Sequence, residues 1–158
     1  FLYAKKEIQD DIDPIIISWG YESETPSHSK YLDYHQWQGT NDPSPYLTVP
    51  DVIKFLNMHN WNEVSINCRK LNIEAKKIVN QSLNKNPISE DEFVGQMTAI
   101  KINCKDPIKL MEKLYIDFKL IVPIVKWENN MLLRFSIQAY NSMEDIEKLI
   151  FAIKKLKL

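Results

Sequence analysis

Glycine is scarce in this chain: 158 residues contain three, Gly20, Gly39 and Gly95. None belongs to a cluster, which removes a phosphate loop built on closely spaced glycines. Cysteine is scarcer still, with Cys68 and Cys104 alone. Their spacing suits no metal site, and an extracellular disulfide framework uses more of them. Two buried thiols acting as small apolar residues are expected. A reducing, cytoplasmic setting fits. Arginine occurs only as Arg69 and Arg134, although Lys and Arg together number 20 against 21 acidic residues, for a net charge of −1. That balance disfavours a nucleic-acid surface, including a ferredoxin-like nucleic-acid binder. Long apolar runs are missing too. The longest are broken by charge or by Pro123, so no membrane span is expected. His28, His35 and His59 are scattered without metal-ligand spacing, so no metal is assigned. No Ser-His-Asp or Cys-His arrangement stands out, and no residue is assigned a catalytic role.

What is present is an ordinary globular composition, 44% hydrophobic and 26% charged, in a length that supports a real core. The chain opens Phe1-Leu2-Tyr3-Ala4. Termini are normally polar and frayed, so this apolar segment is expected to be an interior strand with further sequence ahead of it. Ile15-Ile16-Ile17 reads as a second, buried strand, closed by Ser18-Trp19-Gly20. Residues 21–36 mix Ser, Thr, Pro, His and Tyr without period and read as a long loop. A turn-rich segment, Trp37-Gln-Gly-Thr-Asn-Asp-Pro43, follows.

From Thr48 the pattern becomes helical. Thr48 and Asp51 form a variant of the capping box, ahead of Val52, Phe55 and Leu56. A longer helix is predicted from about Asn62 to Leu83, on Val64, Cys68, Leu71, Ala75, Ile78 and Val79. Thr98, Ile100, Ile102 and Cys104 alternate as in a half-buried strand. Asp106-Pro107 opens a helix with Ile108, Met111, Leu114 and Tyr115 on one side. Lys119 to Trp127 and Leu132 to Ala139 read as strands joined by a turn at Glu128-Asn129-Asn130. Ser142 and Asp145 cap a final helix facing inward through Ile146, Leu149, Ile150 and Ile153. This order implies an α+β layer, a small antiparallel sheet covered by helices.

Two places could carry binding chemistry. In Leu133-Arg134-Phe135-Ser136-Ile137 the three apolar residues share one strand face, leaving Arg134 and Ser136 on the other. A covered arginine needs an anion, and its planar fork suits a carboxylate. The pattern alone favours the plainer alternative, a surface arginine paired with a glutamate. Gly39-Thr40 offers close backbone approach and a hydroxyl beside an N–H, as a phosphate contact would need. A Gly-Thr pair by itself is more often a plain turn.

The order of these segments is more specific than any one of them. Phe1-Leu-Tyr, Ile16-Ile-Ser-Trp-Gly20, Trp37-Gln-Gly-Thr-Asn-Asp-Pro-Ser44 and Leu133-Arg-Phe-Ser-Ile-Gln-Ala-Tyr-Asn141 with Glu144-Asp-Ile146 occur in series. Over nearly its whole length the chain resembles the C-terminal half of class V aminotransferase-like enzymes, which use pyridoxal phosphate, and especially isopenicillin N epimerase-like ones. The resemblance implies the small C-terminal domain of the type I pyridoxal-phosphate-dependent transferase fold at 48–158. Residues 1–47 would be a remnant of the large cofactor-binding domain. It implies that Gly39 and Thr40 reach across a homodimer interface to the neighbouring cofactor's phosphate. Arg134 would bind the substrate α-carboxylate, with Trp19, Tyr21 and Trp37 on the wall of the substrate entrance. In that family the lysine that carries the cofactor lies shortly before the Phe-Leu-Tyr strand, and Lys5 and Lys6 do not match it. The chain by itself is therefore expected to be inactive, to bind no cofactor and to self-associate through exposed strand edges. A stand-alone interaction module reusing the same domain is the alternative.

Overall fold

A computed structural model describes residues 2–158. The chain divides into two compact units, Phe1–Ile53 and Lys54–Leu158.

The second unit is built on three strands. β1 (Met97–Ile102), β2 (Ile124–Trp127) and β3 (Asn130–Ser136) form an antiparallel sheet in the order β1-β3-β2. The register sets Leu133 of β3 opposite both Ile100 of β1 and Ile124 of β2. One row of branched apolar side chains therefore crosses the sheet, and all three are buried. Burying such a row is what fixes the register, since a one-residue slip would turn it outward.

Three helices pack on this unit: α4 (Trp61–Ser82), α5 (Pro107–Phe118) and α6 (Met143–Leu156). α5 begins where Asp106 accepts the Lys109 N–H at 3.0 Å and Pro107 supplies a preset φ. α6 begins at Ser142, whose N–H donates to the Asp145 carboxylate at 3.1 Å. Cys68, Ala75 and Val79 of α4 meet Ile146, Leu149, Ala152 and Ile153 of α6 in one core with the sheet. The expected α+β layer is thus observed.

α4 also carries a polar row. Arg69 donates to the carbonyls of Val94 (2.8 Å) and Asp91 (2.9 Å), Asn72 to Gly95 (3.0 Å) and Lys76 to Ser89 (2.9 Å). Lys76 also pairs with the Asp91 carboxylate at 2.6 Å, and Lys77 with its other oxygen at 3.1 Å. The row straps the otherwise irregular segment 89–95 along the helix and delivers the chain into β1. Arg69, Asn72 and Lys76 span two turns of one helix face, which is what lets three side chains meet the carbonyls of this segment.

The first unit departs further from expectation. Phe1 lies outside the described residues, and Leu2–Ala4 form no strand. Ile15–Ile17 form none either and are exposed, Ile15 fully. An apolar run becomes a strand only beside another strand that accepts its hydrogen bonds, and none is paired with it here. The expected loop at 21–36 contains α1 (Lys30–Gln36), N-capped by Ser29, whose hydroxyl accepts the Leu32 N–H at 3.3 Å. Helical structure resumes at α2 (Ser44–Leu47), before Thr48, and continues in α3 (Val49–Met58). The Thr48 hydroxyl donates back to the Pro45 carbonyl at 2.9 Å.

In the second unit the strand expected over Lys119–Trp127 shortens to β2. Lys119 ends α5 in the left-handed conformation at φ 56°. The helix face is narrower than expected as well: Leu114 is buried, whereas Ile108 and Tyr115 are exposed.

Candidate functional site

The glycine-threonine corner is held by two close approaches. Gly39 has φ +99°, a conformation that strains any side-chain-bearing residue. The Trp19 ring lies against it, so an added Cβ would stand 3.3 Å from the indole Cδ1. Gly20, next in sequence to Trp19, donates its N–H to the Trp37 carbonyl at 3.0 Å. A Cβ on Gly20 would fall 1.8 Å from the Asp33 carbonyl oxygen, an impossible distance. Two glycines far apart in sequence therefore bring segment 18–20, α1 and the 37–40 turn together. Asp33 is buried and accepts the Ser27 N–H at 2.9 Å, tying the loop before α1 to the helix. Beyond the corner, Asp42 accepts the Ser44 hydroxyl (2.6 Å) and N–H (2.9 Å) at the start of α2. Those bonds, the side-chain one foremost, hold its carboxyl below the usual carboxylate range.

Beside this corner lies a concavity of about 810 Å³, whose lining includes Tyr31, His35, Trp37, Gly39, Asn41 and Tyr46. The Tyr31 and His35 rings stand 4.5 Å apart, one helical turn from each other on α1. The Tyr31 hydroxyl and the His35 Nδ1 are both buried and make no hydrogen bond among the described residues.

Of the residues singled out in the sequence, Trp37 and Gly39 line this concavity. Thr40 is exposed. Trp19 supports Gly39 from beside it, and Tyr21 stacks on Tyr34 at 4.6 Å. Arg134 belongs to the second unit. Tyr31 and His35 were not singled out. Their four-residue spacing was the available signal, and it has meaning only once α1 is known to be a helix.

Arg134 sits at the middle of β3, opposite Ala99 of β1, with its N–H on the Pro123 carbonyl at 2.9 Å. Leu133, Phe135 and Ile137 are buried, Arg134 is half-buried and Ser136 is exposed, so the face division is the one the alternation implied. Among the described residues the Arg134 guanidinium has no hydrogen bond and no carboxylate within ion-pair distance. The surface pairing with a glutamate is therefore absent. The other arginine, Arg69, has its guanidinium committed to two backbone carbonyls. Arg69 is thus committed to the fold, whereas the Arg134 guanidinium is uncommitted among the described residues.

The chain is 27% identical to isopenicillin N epimerase from Amycolatopsis lactamdurans over 168 aligned positions, covering 99% of this chain and 42% of that protein. The resemblance seen in the sequence holds. No family model matches the chain. Among solved structures, cysteine desulfurase CsdA from Escherichia coli superposes with a TM-score of 0.70 at 14% identity, over 97% of this chain and 41% of that one. The 8-amino-7-oxononanoate synthase of Francisella tularensis gives 0.59 at 20% identity, over 81% and 38%. These likenesses bear out the fold, the α+β part of the pyridoxal-phosphate-dependent transferase architecture. The chain spans less than half the length of each of these proteins. Among the described residues no helix is long and apolar enough to cross a membrane.

Proposed function

We propose that this chain is the C-terminal part of a pyridoxal-phosphate-dependent enzyme of the class V aminotransferase, isopenicillin N epimerase-like type, acting on an amino acid. The observation that carries the reading is the near full-length similarity to an isopenicillin N epimerase, joined to an arginine with an uncommitted guanidinium on the strand where that family's motif falls.

The residues present fit the cofactor's phosphate. Gly39 brings bare backbone to the edge of a concavity within the ~300–1,000 Å³ range of small-molecule sites. Tyr31 and His35, each with a buried polar atom that has no partner among the described residues, belong to its lining. Gly39 and Thr40 would contact the phosphate of the neighbouring subunit in a homodimer, through backbone N–H groups and the Thr40 hydroxyl. Arg134 would hold the substrate α-carboxylate in two-point contact, fixing the orientation of the α-carbon. Trp37, with Trp19 and Tyr21, would wall the substrate entrance and exclude water. Bound pyridoxal phosphate supplies an electron sink for acid–base chemistry at an amino-acid α-carbon. Neither Lys5 nor Lys6 would be the lysine that carries it, so the chain alone would be inactive. Its free thiols suit a reducing cytoplasm.

The test is complementation. The chain is combined, by co-expression or refolding, with polypeptide matching the remainder of an isopenicillin N epimerase. Recovery of the absorbance of bound cofactor is expected. In the complemented enzyme Arg134→Ala should weaken amino-acid binding about 10- to 100-fold, as for a lost charge-assisted pair, and leave cofactor binding intact. Unchanged amino-acid affinity would remove Arg134 from the site, and failure to bind cofactor in every combination would defeat the assignment.

A further inference from the structure

The concavity beside Gly39 has a feature that the Gly39–Thr40 contact does not use. Tyr31 is only 8% exposed, yet its hydroxyl has no partner among the described residues. His35 stacks against it, and its Nδ1 is likewise buried and alone. A buried polar atom left unpaired is costly, and native structures seldom keep two side by side. Both residues line one concavity, and the two groups can donate at once, an O–H and an N–H.

The surroundings indicate what would accept. Asn41 and His28 add further donors to the lining. Asp33 is the one carboxylate there, and its Oδ2 is already engaged by the Ser27 N–H. Gly39 contributes backbone with no side chain in the way. The concavity is of small-molecule size rather than a flat surface suited to a protein partner.

We infer that Tyr31 and His35 are ligand-binding residues of an oxyanion subsite on the first unit, donating from the Tyr31 hydroxyl and the His35 Nδ1 to the phosphate of a small phosphorylated molecule. Only the identity of that molecule as pyridoxal phosphate rests on the functional reading above.

The subsite is tested on the full chain with inorganic phosphate and pyridoxal phosphate as separate probes, followed by heteronuclear NMR. Saturable shifts of the His35 imidazole and the Gly39 amide are expected with both. Tyr31→Phe removes only a hydroxyl that bonds to nothing, so its thermal unfolding should stay level or move upward. Its phosphate affinity should nevertheless fall about 5- to 20-fold. A purely structural tyrosine would not separate those two readouts. His35→Gln should weaken binding by a similar factor, whereas Tyr115→Phe, on α5 and outside the lining, should bind as the parent does.

The inference is overturned if neither probe shifts those signals saturably, or if Tyr31→Phe binds phosphate unchanged. It is also overturned if the Tyr31 and His35 signals respond only to added polypeptide, which would make the concavity a protein-docking surface. Phosphate binding here combined with failed complementation leaves the subsite standing and removes the functional reading alone.

Discussion

Replacing the two arginines one at a time should separate a structural guanidinium from a free one. Arg69→Ala removes a half-buried bond from Nε to Val94 and an exposed bond from Nη2 to Asp91. Hydrogen bonds to charged groups contribute about 1.5–3 kcal/mol when shielded from water. The Val94 bond falls at the low end of that range, and solvent reduces the Asp91 bond to under about 1 kcal/mol. The sum is about 1.5–2.5 kcal/mol. With a urea slope of about 1–3 kcal/mol per M for a small domain, the midpoint for the second unit should fall by about 0.5–2.5 M. Arg69→Lys should recover little of it, because an ammonium on a flexible stem cannot reproduce the two-pronged geometry. Arg134→Ala removes a side chain whose guanidinium bonds to nothing among the described residues, so only the packing of its aliphatic stem is lost. Its cost should stay within about 0.5–1 kcal/mol. The assay is urea unfolding of the chain followed by far-ultraviolet circular dichroism. Equal losses for the two alanine variants would refute the reasoning, because Arg134 would then be holding the fold and could not be reserved for a ligand.

Gly20→Ala should displace the Trp37–Thr40 turn, since the new methyl would collide with the Asp33 carbonyl and break the Gly20–Trp37 bond. Overpacking plus that bond should cost the first unit about 2–4 kcal/mol, read as altered Trp fluorescence and faster proteolysis within residues 18–40. A variant indistinguishable from the parent would show that the close approach is absent in solution. Acid should loosen the 89–95 strap. The Asp91 carboxyl is held below its ordinary value of 3.8 by hydrogen bonding to Lys76, then to Lys77. A depressed folded-state pKa means the stabilising contribution is complete above the unfolded value and is lost as pH falls through the folded one. Faster amide exchange in 89–95 is therefore expected below about pH 4, and Asp91→Asn should show it already at neutral pH. Exchange there that is independent of both pH and the substitution would remove Asp91 from the strap.

The second unit was the more legible half because its signals are local and long. α4 runs for 22 residues with a repeating apolar stripe, and periodicity over such a length has few alternative explanations. β1 alternates cleanly, β3 does so from Leu133 to Ser136, and α6 announces itself through Ser142 and Asp145. Where the pattern overreached, backbone geometry decided. The apolar stretch after α5 could not all be strand because Lys119 first turns the chain in a left-handed cap. Ile108 and Tyr115 fit the apolar helix face yet face solvent, because the surface α5 packs against is narrower than the stripe. The buried Asn72, Lys76 and Asn80 could not be read from α4. Polar residues inside a helix look solvated until a partner such as the 89–95 carbonyls is known.

In the first unit, α1 has only seven residues, too few for a period to emerge from a segment rich in Ser, His and Tyr. That cost the sequence reading the stacked Tyr31–His35 pair. The sequence by itself determined the α+β class, the resemblance to isopenicillin N epimerase-like enzymes and the side of β3 on which Arg134 lies, because these depend on residue order and on the period-two geometry of a strand. Only the tertiary structure decided that Arg69 is spent on carbonyls while Arg134 is open, that Gly20 and Trp19 hold the Gly39 turn, and that two buried polar atoms share its concavity. Those facts depend on distances between groups remote in sequence, which the order of residues along a chain does not encode locally.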